Sequence, residues 1–300
     1  MHRAAITEVF LTDWQDAGDG LYVVGAQWPR SHGFYCPLDG SKDPLLLGEI
    51  LRQAAILIAH EAFLVPSGHH FVMWDFGFQV DPAYLSAEST PTNVIVLVRC
   101  VDVRWRSDER QELAGMRCEF TVCKDGLVLG TGTGSYHCVC PQRYARLRRS
   151  RTAATPQPAA RPVAGDLVGR DRPADVVLAP ADLPGTWLLR VDPEHPIFFE
   201  HPTDHIPGMA LLEAMRQAAR CLGFPARMLP TGVHASFSRF VEFDSPCLVR
   251  AVVQSTGLAG ESIIRVDLEQ QGRTCASGLV TTLPVERVVR RAPLTERSAA

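Results

Sequence analysis

The chain is almost without lysine: 28 arginines stand against 2 lysines in 300 residues. That bias fits the codon composition of a GC-rich genome. Net charge is also lacking, at −3, so nothing draws the chain to nucleic acid in general. Apolar runs are short. Val94 to Val98 is a strand's worth, far below the roughly 20 residues of a membrane span. The first residues carry Arg3 and Glu8 and have no apolar stretch of signal-peptide length. Cysteine is present nine times, an odd number at spacings that do not repeat, which argues against a disulfide scaffold. The expectation is a soluble, cytoplasmic protein without nucleic acid or membrane as partner. At 46% apolar, there is enough to bury two medium cores.

What is present is a repeat. Asp43-Pro44-Leu45-Leu46-Leu47-Gly48-Glu49-Ile50-Leu51-Arg52-Gln53-Ala54-Ala55 returns 164 positions later as Pro207-Gly208-Met209-Ala210-Leu211-Leu212-Glu213-Ala214-Met215-Arg216-Gln217-Ala218-Ala219. Six of thirteen positions are identical, including Glu-x-x-Arg-Gln-Ala-Ala. At the same offset Phe34 falls on Phe198, and Val65-Pro66-Ser67-Gly68 falls on Leu229-Pro230-Thr231-Gly232. Asp125-Gly126 and Gln271-Gly272 align at an offset of 146, so the first copy carries about 18 extra residues before its last strands.

Each copy reads as two strands, one long helix and several antiparallel strands. In the first copy the strands are Glu8 to Leu11, Leu21 to Trp28, Phe71 to Val80, Asn93 to Trp105, Gly115 to Val122 and Leu127 to Val139, with the helix from Pro44 to Phe63. In the second they are Val176 to Leu178, Trp187 to Val191, Val233 to Phe243, Cys247 to Ser255, Ser262 to Gln270 and Thr274 to Leu283, with the helix from Gly208 to Leu222. The predicted division is a first domain over 1–145, an Arg/Pro/Ala-rich flexible linker over 146–172, a second domain over 173–290 and a disordered tail over 291–300. A helix this apolar needs cover on both flanks, and two copies side by side supply it for each other.

The helices carry charge where little is expected. Glu49 with Arg52, and Glu213 with Arg216, are spaced i, i+3 and share a helix side, with Gln53 and Gln217 one position on. Two readings follow. One is an internal ion pair that orients the halves, with the glutamine as hydrogen-bond partner. The other is a site, in which a Glu among apolar neighbours has a raised pKa and acts as general base. Retaining a buried pair costs several kcal/mol of desolvation per ion, which favours a use for it. Before the second helix runs Asp192-Pro193-Glu194-His195-Pro196-Ile197-Phe198-Phe199-Glu200-His201-Pro202-Thr203-Asp204-His205-Ile206-Pro207-Gly208. The free N–H groups where a helix begins at Gly208 suit the polarisation of a carbonyl oxygen. The first copy has Pro37 and Ser41 where His201 and His205 fall, so the second copy is the expected active half. The spacing of this run is unlike a compact zinc site, and no metal is expected.

His201-Pro202-Thr203-Asp204-His205-Ile206-Pro207-Gly208-Met209, the two Glu-x-x-Arg-Gln-Ala runs, Phe10-Leu11-Thr12-Asp13-Trp14, Ala26-Gln27-Trp28-Pro29-Arg30 and Met73-Trp74-Asp75 together resemble the A-factor biosynthesis hotdog proteins, synthases of γ-butyrolactone autoregulators. The resemblance spans all but the linker and tail. It implies an α+β tandem (double) hotdog, an intramolecular pseudodimer of two long helices each wrapped by an antiparallel sheet. It also implies transfer of a β-ketoacyl group from acyl carrier protein to the hydroxyl of dihydroxyacetone phosphate, without metal or redox cofactor. The family's functional Glu and Arg fall on Glu213 and Arg216, and on Glu49 and Arg52. Gly208 would help hold the oxyanion. His201 and His205 compete for the place that a catalytic His occupies in related dehydratases, and Gln217 and Gln53 would contact substrate. The alternatives are a thioesterase or dehydratase on acyl thioesters, or a non-catalytic regulatory homologue.

Overall fold

A computed structural model describes residues 1–35, 40–86, 88–106, 112–149, 160–223, 226–258 and 260–287. Pro37, the middle of the expected linker (150–159) and the expected tail (291–300) lie outside the described residues. In the first half, β1 (Leu11–Asp16), β2 (Leu21–Trp28), β3 (His70–Val80), β4 (Thr92–Trp105), β5 (Leu113–Lys124) and β6 (Leu127–Val139) surround helix α1 (Leu45–Glu61). Two short helices follow, α2 (Pro141–Leu147) and α3 (Gly165–Val168). The second half has β7 (Leu178–Pro180), β8 (Thr186–Leu189), α4 (Gly208–Gly223), β9 (Met228–Phe237), β10 (Cys247–Thr256), β11 (Ser262–Gln270) and β12 (Arg273–Pro284). All twelve strands form one antiparallel sheet in the order β1-β2-β4-β5-β6-β3-β9-β12-β11-β10-β8-β7. Half meets half at β3 and β9, and the α+β tandem hotdog expected from the sequence is present. Among the described residues, no helix is long and apolar enough to cross a membrane.

The pairing of β3 with β9 centres on Gly77 opposite His234, flanked symmetrically by Asp75 with Ser236 and Gln79 with Gly232. A Cβ on Gly77 would collide with the His234 ring, so glycine is what lets that side chain lie over the junction. The two last hairpins turn alike. Asp125-Gly126 has φ of +50° and +78°, and Gln271-Gly272 has +53° and +70°, the left-handed pair that matches strand twist in a tight hairpin.

These pairings correct the ungapped register. Phe78 of β3 pairs with Gly132, and Ala235 of β9 pairs with Gly278, so β3 and β9 correspond at an offset of 157 rather than 164. Pro66-Ser67-Gly68 forms the turn after α1, with Gly68 at φ +85°, whereas Pro230-Thr231-Gly232 lies within β9. The connection after the helix is thus seven residues shorter in the second half. The remaining eleven are lost between β9 and the last hairpin.

Four element expectations also shift for a physical reason. The Glu8 carbonyl and Phe10 N–H are both taken by the Gln53 side chain, at 2.7 and 3.0 Å, so β1 starts at Leu11 instead of Glu8. The Asp175 carbonyl and Val177 N–H are taken by Gln217, at 2.8 and 2.9 Å, and β7 starts at Leu178. Strand β9 ends at Phe237 because the Ser238 and Arg239 N–H groups both turn to the Cys275 carbonyl. The expected linker is built into the fold at both ends, since Arg148 and Arg170 are buried.

The helices are buried along most of their lengths and lie against the sheet's inner face. Between the halves, the rings of Phe34 and Phe198 meet edge to face at 5.0 Å, and Phe34 also meets His195 at 5.5 Å. These aromatic segments, more than direct helix contact, cover the flanks.

Candidate active site

The two Glu-x-x-Arg-Gln sequences fold into matching clusters. Glu213 accepts from Arg216 Nε and Nη2 at 2.7 and 2.8 Å, from Gln217 Nε2 at 2.5 Å and from Arg170 Nε at 2.9 Å. Glu49 accepts from Arg52 Nε and Nη2 at 2.9 and 2.7 Å, from Gln53 Nε2 at 2.7 Å and from Arg3 Nε at 3.0 Å. Each distal arginine crosses to the other half. Arg3 Nη1 donates to the Ile197 carbonyl at 2.9 Å, and Arg170 Nη1 donates to the Phe34 carbonyl at 2.7 Å and pairs with Asp43. The crossing is reciprocal, and it sets the loops before the two helices at an offset of 163. The same offset relates His32 and His195, whose Nδ1 atoms each accept two backbone N–H groups just downstream.

Both glutamates have no solvent exposure. Burial alone would raise their carboxyls, but the paired arginines outweigh it and bring each down to about 2. The expectation of a raised pKa is therefore overturned: each carboxylate is ionised at neutral pH and accepts from two arginines and a glutamine. Arg216 is 4% exposed and gives Nε and Nη2 to Glu213, while its buried Nη1 has no partner among the described residues. The orienting ion pair, with glutamine as its partner, is the reading this geometry favours.

A cavity lies one turn toward the start of α4. It measures about 440 Å³ and opens between β3 of the first half and the second half's α4, β9 and β12. Val72, Met73 and Trp74 form one wall, and His205, Ile206, Gly208, Leu211 and the segment Phe237 to Glu242 form the other. Glu213, Arg216, Gln217, Glu49, Arg52, Gln53 and His201 are not among its lining residues. His201 is exposed; partial burial lowers its pKa, Glu200 opposes this, and Arg3 and Arg52, on the Glu49 side, add to the lowering. Of the sequence-derived site residues, the structure brings together Gly208 and His205.

Gly208 opens α4 against the Met73 methyl, where a Cβ would sit 2.5 Å away. A helix's first N–H groups have no acceptor within it, so this end offers donors to the cavity. His205 Nδ1 lies 2.8 Å from Asp204 Oδ1, and Tyr144 OH donates to the same oxygen at 2.7 Å. With Nδ1–H directed at a carboxylate, Nε2 is left as the basic nitrogen, and it has no partner among the described residues. The hydrogen bond from His205 chiefly holds the Asp204 carboxyl far below its usual range, helped against burial by Tyr144 and Arg148. The His205 ring is braced edge-on by Phe240 at 4.6 Å.

Arg148 is buried at this wall with Nη1 and Nη2 each 2.7 Å from Glu242 and Nε 2.8 Å from Asp204. Arg239 and Arg273 line the opening, are exposed, and have no carboxylate partner among the described residues. Arg3 and Arg170 in the clamps, and Tyr144, Arg239 and Arg273 at the cavity, are residues for which the sequence suggested no such place. A signal existed for two of them: Arg3 precedes Glu8 by five positions, as Arg170 precedes Asp175, and each acid's own carbonyl is bound by the helix glutamine.

Comparison with known proteins bears on the whole of this arrangement. The family model "A-factor biosynthesis hotdog domain" matches residues 1–140 and 152–286. A Streptomyces virginiae protein named 2-oxo-3-(phosphooxy)propyl 3-oxoalkanoate synthase is 40% identical over 283 residues, 94% of this chain and 95% of the relative. A protein of the same name from Streptomyces coelicolor is 36% identical over 91% of this chain and 86% of its own length. Among solved structures, a putative oleoyl thioesterase from Lactobacillus plantarum superposes with a TM-score of 0.56 at 13% identity, covering 89% of this chain and 98% of that one. The 12:0-ACP thioesterase from Umbellularia californica gives 0.53 at 13% identity, over 87% of this chain and 97% of its own. Those two likenesses are of fold alone. The chain belongs to the A-factor biosynthesis hotdog family.

Proposed function

We propose that the protein makes a 2-oxo-3-(phosphooxy)propyl 3-oxoalkanoate, by moving a β-ketoacyl group from an acyl carrier protein thioester to the hydroxyl of dihydroxyacetone phosphate. The observation that carries this reading is the cavity's combination of parts: an Asp204-oriented His205, the α4 N-terminus at Gly208, and at the mouth two arginines with no carboxylate partner among the described residues. The relatives' name supports the same product. The eight described cysteines are all free thiols, which suits the reducing cytoplasm.

In the proposed reaction, His205 Nε2 takes the proton of the acceptor hydroxyl as its oxygen attacks the thioester carbonyl. The tetrahedral oxyanion forms toward the N–H groups at Gly208 and Met209. Collapse breaks the C–S bond, and the departing thiolate receives the proton from His205. Asp204 holds the imidazole in one tautomer throughout. Arg239 and Arg273 meet the acceptor's phosphate. Gly208 keeps its proposed place, and His205 rather than His201 takes the histidine role. Glu213, Arg216, Gln217 and their counterparts Glu49, Arg52 and Gln53 support the site by fixing the two halves that form its walls.

Incubating the purified chain with β-ketoacyl carrier protein and dihydroxyacetone phosphate, and reading products by mass spectrometry, tests this. Phosphorylated ester supports transfer. Free β-keto acid as the main product supports a thioesterase instead, and enoyl thioester from a β-hydroxyacyl donor supports a dehydratase.

A further inference from the structure

The cavity mouth has a second feature that the transfer chemistry does not use. Helix α2 forms part of its rim: Leu147 and Arg148 line the opening, and Tyr144 is fixed there by Asp204 and by stacking on His70 at 3.7 Å. The buried bonds from Arg148 to Glu242 and Asp204 tie down the end of the helix. Helix α2 and the turn after it expose Arg143, Arg146 and Arg149, none of which has a carboxylate partner among the described residues, and Leu147 is 56% exposed between them. Arg239 and Arg273, likewise without a carboxylate partner among the described residues, line the opening whose rim α2 forms, in a chain whose net charge is −3.

We propose that α2 is the docking surface for the acidic carrier protein that brings the acyl thioester, an inference that rests on the transfer reading above. Three arguments favour this occupant. The basic residues lie on and just after the helix that forms part of the cavity rim, in a chain of net charge −3, which draws an acidic macromolecule toward this opening. They are arginines, whose planar forks pair with carboxylates, around an exposed leucine that gives a small apolar centre to a polar rim. The helix is held by contacts buried in the cavity wall, so it is preformed and in fixed relation to His205 and Gly208, as delivery of a tethered thioester to one atom demands.

The test uses the full chain with R143E, R146E and R149E combined, none of which takes part in the reaction itself. Binding of β-ketoacyl carrier protein is followed by fluorescence anisotropy at low and moderate salt. Rates are measured with that donor and with the β-ketoacyl thioester of free pantetheine. The expected result is that carrier affinity falls by about tenfold or more, that most of the wild-type salt dependence is lost, and that KM for the pantetheine thioester and kcat are unchanged. A folded variant that binds carrier like the wild type overturns the proposal, as does an equal loss with both donors. Tighter wild-type binding to a DNA duplex or to anionic vesicles than to the carrier also overturns it. Carrier binding that depends on α2, with no ester formed from either donor, upholds the docking surface while the acyl-transfer reading fails.

Discussion

Arg170 Nε lies 2.9 Å from Glu213 Oε1 in its own half, while Nη1 of the same guanidinium lies 2.7 Å from the carbonyl oxygen of Phe34 in the other. Arg3 does the same in reverse, joining Glu49 to the Ile197 carbonyl. The duplicated glutamates are thus anchors for a pair of crossed ties. A buried charge has to be satisfied from all sides, and here that requirement positions both loops that precede the helices.

Breaking one tie leaves a buried charge uncompensated. Glu213→Gln or Arg170→Ala is expected to cost about 3–5 kcal/mol of stability. Thermal melting measured beside the rate of ester formation should show activity following the folded fraction. Arg52→Ala should cost less than Arg216→Ala, because the Arg52 side chain is 20% exposed against 4% for Arg216.

Acid should loosen the same clusters. Glu49 and Glu213 have carboxyls near 2 when folded, against an ordinary value of 4.5. The unfolded chain therefore takes up these protons first. The stabilisation is complete above the unfolded value and is lost as pH falls through the folded one. Denaturant midpoints measured from pH 6 to pH 2 should fall below about pH 4.5, and the fall should be shallower in Glu213→Gln.

The halves should not live apart. Residues 1–145 alone would expose β3 as an unpaired edge and strip Arg3 of the Ile197 carbonyl. Residues 160–290 alone would expose β9 and leave Arg170 without Phe34 and Asp43. Either piece, followed by sedimentation, should aggregate or self-associate. A stable monomer from either would contradict the crossed-tie account.

Much of the fold was legible because duplication makes one copy the control for the other. The i, i+3, i+4 pattern of Glu49, Arg52 and Gln53 showed that the three share a helix side, and the alternative of an orienting pair was already visible there. The clamp's other arms were not, since Arg3 and Arg170 lie more than forty residues from the glutamates they meet. Nor did identical letters guarantee identical places. Pro66-Ser67-Gly68 and Pro230-Thr231-Gly232 share their proline and glycine, yet one is a turn and the other part of a strand, because the connection after the helix is shorter by seven residues. Between His201 and His205 the prolines hid any periodicity, and only packing against Asp204, Tyr144 and Phe240 separates them.

Recognition of phosphate gives a prediction that separates substrate binding from chemistry. Arg239→Ala and Arg273→Ala should raise KM for dihydroxyacetone phosphate by about tenfold each, consistent with loss of a charge-assisted hydrogen bond. They should have little effect on the poor acceptor dihydroxyacetone. Equal effects on both acceptors would remove the arginines from phosphate recognition.

The central claim is that His205 moves the proton while Glu213 holds the halves. The direct measurement is single-turnover ester formation, followed by mass spectrometry, for His205→Ala and Glu213→Gln, each normalised to folded protein by its melting curve. The account predicts that His205→Ala melts like the wild type and forms ester on the order of 10²–10⁴ times more slowly. It predicts that folded Glu213→Gln retains its rate. Full ester formation by His205→Ala, with the loss falling on well-folded Glu213→Gln, would contradict it and return the reaction to the helix glutamate.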